Sequence, residues 1–373
     1  MAHVRPRGKA FEYTFKRQGV LDEPAYLTFT NKEDGDKQAA VIEMLLDRGI
    51  VHPTLRVGAK IHTIDQLINE YLLNVNVSAK SQGVLNPLRK TIGSVPVLII
   101  SSAWVDQWVS DLKRISKLAP NTIQTKVETL ARCTEWGVRA GHLAMIGDPL
   151  RRLPVGYAYY TRQDEQIAGV KKIDVERDRR LEDGELEKLQ ATLRCGILPR
   201  KIRPYKLEHT QAMEFMIILA LESAMRMGEM STLTLDQIDI KRFTIFLDKT
   251  KNGSKRQVPM SSVAVAKIKE YLEFRRQQPW AKESSDLFPW REEMKGNLKK
   301  LSDYLSKLYI GIFESAGCVD LKFHDFRHEA VSRIFERTTM SDTEIMKITG
   351  HRSHKMLMRY ANLRASQLAN KMW

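Results

Sequence analysis

The 373-residue chain is predicted to be mainly α-helical with small β-sheets, and to form more than one domain. Three observations support this fold class. Apolar residues recur at helical spacing through most of the chain. Short runs of alternating apolar and polar residues, bounded by turn residues, occur near the N-terminus and again in the C-terminal half. The length exceeds that of a usual single domain, so we expect two or three hydrophobic cores.

Residues 1–60 predict a small β-β-α unit. In "AFEYTFKR" aromatic residues alternate with polar ones, and "AYLTFT" follows after the turn "GVLDEP", a pattern typical of a β-hairpin. Thr30 and Glu33 then fit a capping box for a helix that runs to about Arg48. The unit is either a DNA-binding module or an N-terminal embellishment, and its sequence favours neither.

Residues 61–148 predict a helical domain. Thr63 and Gln66 fit a second capping box, in front of "TIDQLINEYLL", and further helices are indicated by "SSAWVDQWVSDLKRIS" and "NTIQTKVETLARCTEWGVRAG". Trp104 and Trp108 fall on one face of the helix in "SSAWVDQWVSDLKRIS". Because such a face is more often packed in a core than used to stack nucleotides, we interpret both as core residues.

The stretch 149–176 loses helical periodicity and gains proline, glycine and charge, which is typical of a linker. Residues 177–373 predict a mostly helical domain with one small sheet and a C-terminal tail. In it, "AMEFMIILALESAMRMGEMSTL" predicts a single buried helix that closes with Arg226 and Glu229. "FTIFLDKTKNGSKRQVPM" predicts a β-hairpin with Asn-Gly in its turn and Lys251 at its tip. Helices are also predicted in "RRLEDGELEKLQ", "SVAVAKIKEYLEF", "LSDYLSKLYIGIFESAG", "HDFRHEAVSRIFE" and "DTEIMKITG".

The chain carries 60 lysine and arginine residues against 45 acidic ones, a formal net charge of +15, and its pI is near 9.6. The cations are spread along the sequence, which indicates long positive surfaces for a polyanion, with nucleic acid as the default partner. Three widely spaced cysteines without a CxxC pair, and the lack of a secretory h-region, favour a reducing cytoplasm. The longest apolar stretches are shorter than the roughly 20 residues that span a bilayer. The sequence has neither a GxxxxGK[ST] loop nor a zinc-binding spacing, so we expect no cofactor and no metal.

Cation-capable side chains are crowded in "HDFRHEAVSRIFE", a run that otherwise predicts an amphipathic helix. His324 and Arg327 are three residues apart, so they share a helix face and can converge on one small anion. On most helices such a cluster is simply a solvated face. Arg226, His351 and Tyr360 likewise each have an ordinary alternative: a salt bridge at a helix end, a core histidine and a core aromatic. Their joint occurrence favours the functional interpretation.

These motifs occur in the order and the local settings that resemble the tyrosine recombinase (phage integrase) family. "AMRMGE" resembles the family's first arginine motif with its Glu229, "HDFRH" its His-x-x-Arg box, and "GHRSHKMLMRY" its Gly-His to Tyr box. In the last motif Tyr360 follows His351 by nine residues, which is the family's spacing. The resemblance implies that the catalytic residues are Arg226, Lys251, His324, Arg327, His351 and Tyr360, supported by Glu229.

The resemblance differs in strength along the chain. It is strong over residues 177–365 and looser over residues 63–148, which look like the family's core-binding domain. Residues 1–60 resemble arm-binding domains only weakly. One departure is Asn362, where many members of the family carry a histidine, and this difference has no catalytic consequence that we can identify.

The residue types suit an attack on phosphate. Tyrosine is a weak nucleophile at its ordinary pKa of about 10, so Tyr360 must be held in line and relieved of its proton. The transition state spreads negative charge over the non-bridging phosphate oxygens. The fixed forks of two guanidinium groups, those of Arg226 and Arg327, match these oxygens better than ammonium groups would.

The remaining candidates supply proton transfer and hydrogen bonds. His324 and His351 can donate to the phosphate oxygens or carry the tyrosine proton, because an imidazole titrates near pH 6.5. Lys251 would protonate the departing 5′ oxygen, with Lys249 and Lys255 as neighbouring alternatives. The resemblance implies a 3′-phosphotyrosyl product and a free 5′ hydroxyl, so that rejoining needs no ATP.

The resemblance also implies a biological role. It points to a site-specific DNA recombinase that integrates or excises a phage or other mobile element. We expect it to close around double-stranded DNA as a C-shaped clamp, to act as a homotetramer in the synaptic complex, and to work with an accessory DNA-bending or directionality protein in some reactions. One alternative is a type IB topoisomerase, which shares the nucleophile chemistry but relaxes DNA without a defined site. The other, a non-catalytic DNA-binding regulator, is disfavoured because no catalytic residue is missing.

Overall fold

The computed structural model describes residues 2–55, 61–145, 147–199, 203–248 and 255–360. The chain divides into two compact units, Met1–Val175 and Glu176–Trp373. The predicted fold class is confirmed, since helices dominate and the sheets are small and antiparallel. Among the helices of the described ranges, none is long and apolar enough to cross a bilayer.

The N-terminal unit begins with a three-stranded antiparallel sheet in the order β1-β2-β3, followed by a helix. These elements are β1 (His3–Arg7), β2 (Ala10–Phe15), β3 (Ala25–Phe29) and α1 (Lys32–Leu46). The predicted hairpin is confirmed as β2 and β3, with Tyr13 opposite Leu27. The sequence does not predict β1, because its residues lack apolar alternation. Arg5 and Arg7 of this strand each bond at 2.6 Å to the buried carboxylate of Glu12 on β2.

Helix α1 begins slightly later than its predicted capping box. The side chain of Asn31 accepts a hydrogen bond from the backbone N–H of Glu33 at 2.9 Å, so Asn31 rather than Thr30 is the cap. The helix then covers the sheet with a small apolar core that includes Phe15 and Ile42.

Four longer helices follow in the same unit: α2 (Ile64–Asn74), α3 (Ala79–Ile92), α4 (Ser102–Arg114) and α5 (Pro120–Arg139). The predicted capping box of Thr63 and Gln66 is present. Helix α3, with Pro87 inside it, was not singled out by the sequence pattern. Trp108 is buried and stacks on the partly buried Trp104 at 5.6 Å between ring centroids, so both pack in the helical core as predicted.

The stretch predicted as a linker is largely folded onto this helical core, which corrects the expectation for residues 149–168. A short helix, α6 (Arg162–Ala168), follows a 3₁₀ turn. The hydroxyl of Tyr160 donates to the carbonyl oxygens of Lys113 at 2.9 Å and Leu118 at 3.0 Å. The buried carboxylate of Asp164 accepts from Arg114 at 2.7 Å. These contacts bridge about 50 residues of sequence, so local periodicity does not signal them.

The C-terminal unit is built around a central apolar helix. Its helices are α7 (Glu185–Cys195), α8 (Thr210–Ser223), α9 (Met227–Met230), α10 (Ser262–Arg276), α11 (Trp290–Glu293), α12 (Leu298–Ser315), α13 (Phe323–Arg337), α14 (Asp342–Thr349) and α15 (His354–Met358). Helix α8 is apolar on nearly all sides because α7, α10 and α13 pack around it. The packing of α13 against α8 therefore fixes where α13 lies in this unit.

The small sheets of this unit complete its fold. Their strands are β4 (Ile197–Leu198), β5 (Tyr205–Lys206), β6 (Ile238–Asp239), β7 (Thr244–Leu247) and β8 (Arg256–Pro259). The predicted hairpin is confirmed as β7 and β8, in which Leu247 pairs with Arg256. Its tip, with Lys249 and Lys251, lies outside the described residues, as does the tail after Tyr360.

Candidate active site

The long apolar helix predicted to close at Arg226 is interrupted before that residue, so the expectation of one continuous helix was wrong. Helix α8 ends at Ser223, and Ala224 adopts a left-handed conformation with φ 52° and ψ 21°. Arg226 is extended, and α9 starts directly after it. No glycine or proline marks this break. It turns the chain so that Arg226 stands at the start of a new helix.

Arg226 is held by Glu229, its predicted partner. Its Nη1 donates to Oε1 of Glu229 at 2.9 Å, and its backbone N–H donates to Oε2 at 2.9 Å. The same carboxylate accepts both ends of the Arg256 guanidinium, from Nη1 at 2.9 Å and from Nη2 at 2.8 Å. Burial raises the pKa of Glu229, but the bonds from Arg256 and Arg226 outweigh it and bring the pKa to about 2. Glu229 is therefore ionised at neutral pH.

Arg327 is almost fully buried on α13, with 2% of its surface exposed. Its Nη1 donates to the carbonyl oxygen of Ala224, and its Nη2 donates to the carbonyl oxygen of Thr349 at 2.7 Å. Nη2 also lies 3.3 Å from Nε2 of His351. Burial, and then the neighbouring charge of Arg226, lower the pKa of Arg327 to about 10, which leaves the guanidinium charged at neutral pH. The bonds tie the helix break to the turn after α14.

The hydrogen bonds around His351 define which of its nitrogens carries the proton. The hydroxyl of Thr349 lies 2.7 Å from the carbonyl oxygen of Ile345, a contact that requires the hydroxyl hydrogen. Oγ1 of Thr349 also lies 2.7 Å from Nδ1 of His351, so Nδ1–H must be the donor there. Nε2 then holds the lone pair and accepts from Arg327. Burial, and then Arg327 and Arg226, lower the pKa of His351 to about 3, so the ring is neutral in the free protein.

Tyr360 is buried against the residues predicted to act with it. Its ring centroid lies 5.1 Å from that of His351 and 4.8 Å from that of His328. It packs in a small apolar cluster whose members include Val331 on α13 and Leu357 on α15. Tyr360 thus lies beside Arg327, His328 and His351 of the same chain.

The two histidines of "HDFRH" lie in different surroundings. His324 is exposed near the start of α13, while His328, one turn later, is buried. Their rings meet edge to face at 5.2 Å. Burial lowers the pKa of His328, and Asp325 opposes that shift. His324 and Arg327 also line one cavity of about 270 Å³, so the predicted shared face is present.

The start of α13 is anchored by a buried carboxylate. Asp325 accepts from Nε and from Nη2 of Arg177, both at 2.6 Å, and from the backbone N–H of Lys322 at 2.7 Å. Arg177 thereby fixes the helix that carries His324 and Arg327.

The structure brings together five of the six predicted catalytic residues: Arg226, His324, Arg327, His351 and Tyr360. The sixth, Lys251, lies outside the described residues, while Lys255 is exposed immediately before β8. The sequence interpretation did not include Arg256 or Thr349. A charged residue at the start of a strand and a threonine at a helix end are too common for their types alone to mark them.

Comparisons with known proteins point to one family. Residues 180–367, which are half of the chain, match the phage integrase family. A shufflon-specific DNA recombinase of Escherichia coli is 34% identical over 205 residues, which cover 54% of this chain but only 44% of that relative. An integrase/recombinase of Haemophilus influenzae, itself assigned only provisionally, is 26% identical over 96% of this chain and 86% of its own length.

Solved structures match the fold over most of the chain. The Tn1549 transposon integrase, in complex with a circular intermediate DNA, has a TM-score of 0.57 at 16% identity, covering 83% of this chain and 99% of that one. A lambda integrase dimer bound to a core site has a TM-score of 0.56 at 14% identity, covering 96% of this chain and 94% of that one. At these low identities the structural likeness shows a shared fold, whereas the sequence match shows the family. This chain belongs to the phage integrase family of tyrosine recombinases.

Proposed function

We propose that this chain is a site-specific DNA recombinase that cuts and rejoins DNA through a covalent bond between Tyr360 and the 3′ phosphate of the cut strand. The observation that carries the proposal is the convergence of three side chains. The ring of Tyr360 lies 5.1 Å from that of His351, and Nε2 of His351 accepts from Arg327. In the reaction the tyrosine oxygen bonds to phosphorus, the bond to the 5′ oxygen breaks, and the reverse attack rejoins the strand.

The arginines are suited to the charge that develops on phosphate. Among the described contacts, three of the five N–H groups of Arg327 are directed to Ala224, Thr349 and His351. In this proposal the remaining N–H groups donate to the phosphate. Within the described parts of the chain, Arg226 is tied by one guanidinium nitrogen, and it remains 20% exposed. Two prearranged guanidinium groups stabilise the transition state more than the ground state.

The histidines are suited to different steps. The ring of His351 lies beside that of Tyr360, and its lone pair on Nε2 fits the acceptance of the tyrosine proton once the hydrogen bond from Arg327 is given up. Its low pKa reflects burial and the nearby cations, and a bound phosphate anion would neutralise those cations and raise the pKa. His324 is exposed on the same helix face as Arg327 and fits a hydrogen bond to the phosphate. Lys251 is proposed to protonate the departing 5′ oxygen.

We assign the three parts of the chain to DNA binding and to catalysis. Residues 1–60 would bind arm-type DNA, and their strand β1 carries Arg5 and Arg7. Residues 61–148 would bind the core site, and residues 177–373 would catalyse. The net charge of +15 supports a long contact with DNA. A tetramer on DNA, and integration or excision of a mobile element, complete the proposal, since the matched structures include a lambda integrase tetramer bound to a Holliday junction.

The experiment uses supercoiled plasmids that carry the DNA flanking this chain's own gene. We expect breaks at one defined position, protein attached to the 3′ end, and exchange of markers between two such sites. The reaction should proceed in excess EDTA, because the arginines supply the positive charge. Relaxation without site preference or exchange would indicate a type IB topoisomerase instead. Binding without breaks would indicate a regulator.

A further inference from the structure

Arg256 lies next to the candidate active site with its side chain only 7% exposed, and neither the family motifs quoted above nor the proposed mechanism uses it. We propose that Arg256 is a positioning residue that neutralises Glu229 and so leaves the charge of Arg226 available to the scissile phosphate. The inference rests on the proposed function, because it concerns how Arg226 stabilises phosphate.

The carboxylate of Glu229 is shared between the two arginines. Each of its oxygens accepts one bond from Arg256 and one from Arg226, four bonds in all at 2.8–2.9 Å. The contact with Arg256 is bidentate, the strongest geometry for this pair of groups. The contact with Arg226 uses one guanidinium nitrogen and the backbone N–H. Arg256 is therefore the main partner of the carboxylate charge, and Arg226 is the lesser one.

The sharing of Glu229 determines how much positive charge the cluster can offer to a phosphate. Two guanidinium groups and one carboxylate leave a net charge of +1 in the cluster. The side chains of Arg256 and Glu229 are only 7% and 5% exposed, so solvent screens their interaction weakly, whereas Arg226 is 20% exposed. Without Arg256, Glu229 and Arg226 would form a neutral pair. The phosphate would then have to compete with Glu229 for Arg226.

The surroundings hold Arg256 in this position. Its Nε donates to the carbonyl oxygen of Ile348 at 3.1 Å, two residues before a glycine. Gly350 has φ +71°, and a Cβ there would lie 2.9 Å from Nη1 of Arg256. The missing side chain of Gly350 thus makes room for the guanidinium. The same turn leads to His351, so Arg256 joins the β-hairpin, Glu229 and the turn before His351.

A purely structural role for Arg256 predicts different behaviour from a role in charge compensation. If Arg256 only braces the fold, Arg256→Met should leave a buried carboxylate unpaired and lower the free energy of unfolding, while the protein that remains folded cleaves at a near wild-type rate. If Arg256 compensates Glu229, folded Arg256→Met protein should itself cleave slowly, and adding Glu229→Gln should cancel that loss. The cleavage rate per folded molecule, measured for Arg256→Met and for the double variant Arg256→Met with Glu229→Gln, therefore separates the two possibilities.

The test measures single-turnover cleavage of a site-containing DNA by the full-length protein. We expect Arg256→Met to slow cleavage by about 10- to 100-fold, less than the roughly 100- to 1,000-fold cost of losing one transition-state donor, because Arg226 itself remains. Adding Glu229→Gln should restore at least about tenfold of that loss. A near wild-type rate for Arg256→Met, or a double variant no faster than Arg256→Met, would overturn the inference.

Two further comparisons keep the result interpretable. If Arg256→Met does not fold, the Glu229→Gln variant is compared with the double variant. Equal rates support the inference, and a much slower double variant overturns it. The control is the ion pair between the half-buried Arg179 and the buried Glu185 of the same unit, for which we expect no such recovery. If the wild-type protein forms no covalent adduct, the proposed function itself fails. If it forms one and the variants do not follow this pattern, only the inference fails.

Discussion

The guanidinium of Arg327 donates from Nη1 to the carbonyl oxygen of Ala224, a residue 103 positions earlier in the chain. Ala224 is the left-handed residue that ends α8. The bond therefore links the helix that carries His324 and Arg327 to the break that presents Arg226. In the proposed mechanism, this bond keeps two arginines from distant motifs next to one phosphate.

Replacement of Arg327 by lysine should abolish most activity although it conserves the charge. Lysine lacks the planar fork, so it cannot bond to Ala224, Thr349 and the phosphate at once. We expect cleavage to slow by about 100-fold or more. The free energy of unfolding should fall by about 1–3 kcal/mol, because a buried carbonyl loses its donor. Arg333→Lys, which changes an ion pair with Glu329 on the same helix, is the matched control. Wild-type cleavage by Arg327→Lys would contradict this prediction.

Replacement of Thr349 by valine should impair cleavage through His351. Valine conserves the shape but removes the oxygen that accepts from Nδ1–H, so the tautomer with its lone pair on Nε2 is no longer fixed. We expect cleavage to slow by roughly tenfold, with DNA affinity unchanged, and Thr349→Ser to retain the wild-type rate. Gel-shift and single-turnover measurements on the three proteins check this. Equal rates for the valine and serine variants would exclude the role of the hydroxyl.

Acidification should destabilise the protein partly through His351. Its pKa is lowered to about 3 in the folded protein, mainly by burial, against about 6.5 for an unfolded histidine. Between these values the unfolded chain binds the proton and the folded chain does not, so stability falls as the pH drops below about 6.5. The contribution is about 1.4 kcal/mol per pH unit. Urea unfolding at pH 7, 6 and 5 should therefore show a steeper loss for the wild type than for His351→Gln. Parallel curves would mean that His351 titrates normally.

Tyr360 should act within its own chain. It packs against His328 and His351 of the same molecule, so no second copy is needed to place Tyr360 beside them. A mixture of Tyr360→Phe and Arg327→Lys proteins should consequently form no more covalent adduct than the Arg327→Lys protein alone. Recovery of cleavage in the mixture would show that one chain supplies the tyrosine to another chain's arginines.

The role of Lys251 as general acid can be tested by replacing the bridging 5′ oxygen of the scissile phosphate with sulfur. A thiolate leaves without a proton, so a general acid is no longer needed, whereas charge stabilisation is. Lys251→Ala should be slow on normal DNA and near wild type on the sulfur substrate, while Arg226→Ala should stay slow on both. Rescue of Lys249→Ala or Lys255→Ala instead would assign the acid to that lysine.

Much of the site was predictable because its residues lie in short motifs. Helical spacing alone puts His324 and Arg327 on one face, and the nine-residue separation of His351 and Tyr360 spans a turn and one short helix. The apolar periodicity of α8 predicts its burial. Local patterns of this kind depend on neighbouring residues, which a sequence displays directly.

The features that sequence did not predict depend on distant contacts. Neither glycine nor proline occupies the break at Ala224, and the carbonyl of Ala224 is satisfied by Arg327 from far along the chain. The partner of Arg256 is a carboxylate 27 residues earlier, on another element. The folding of residues 149–168 onto α4 depends on Asp164 and Tyr160, whose partners are about 50 residues away. Local periodicity carries no information on such pairs.

The most direct test of the account is to identify the residue that becomes covalently bound to DNA. The full-length protein is incubated with a nicked site that traps the intermediate, the adduct is digested with protease, and the peptide that carries the nucleotide is sequenced by mass spectrometry. We predict a single adduct on Tyr360, joined to the 3′ phosphate, which Tyr360→Phe abolishes while retaining DNA affinity. An adduct on another residue, such as Tyr304 or Tyr309, or one that persists in Tyr360→Phe, would contradict the account.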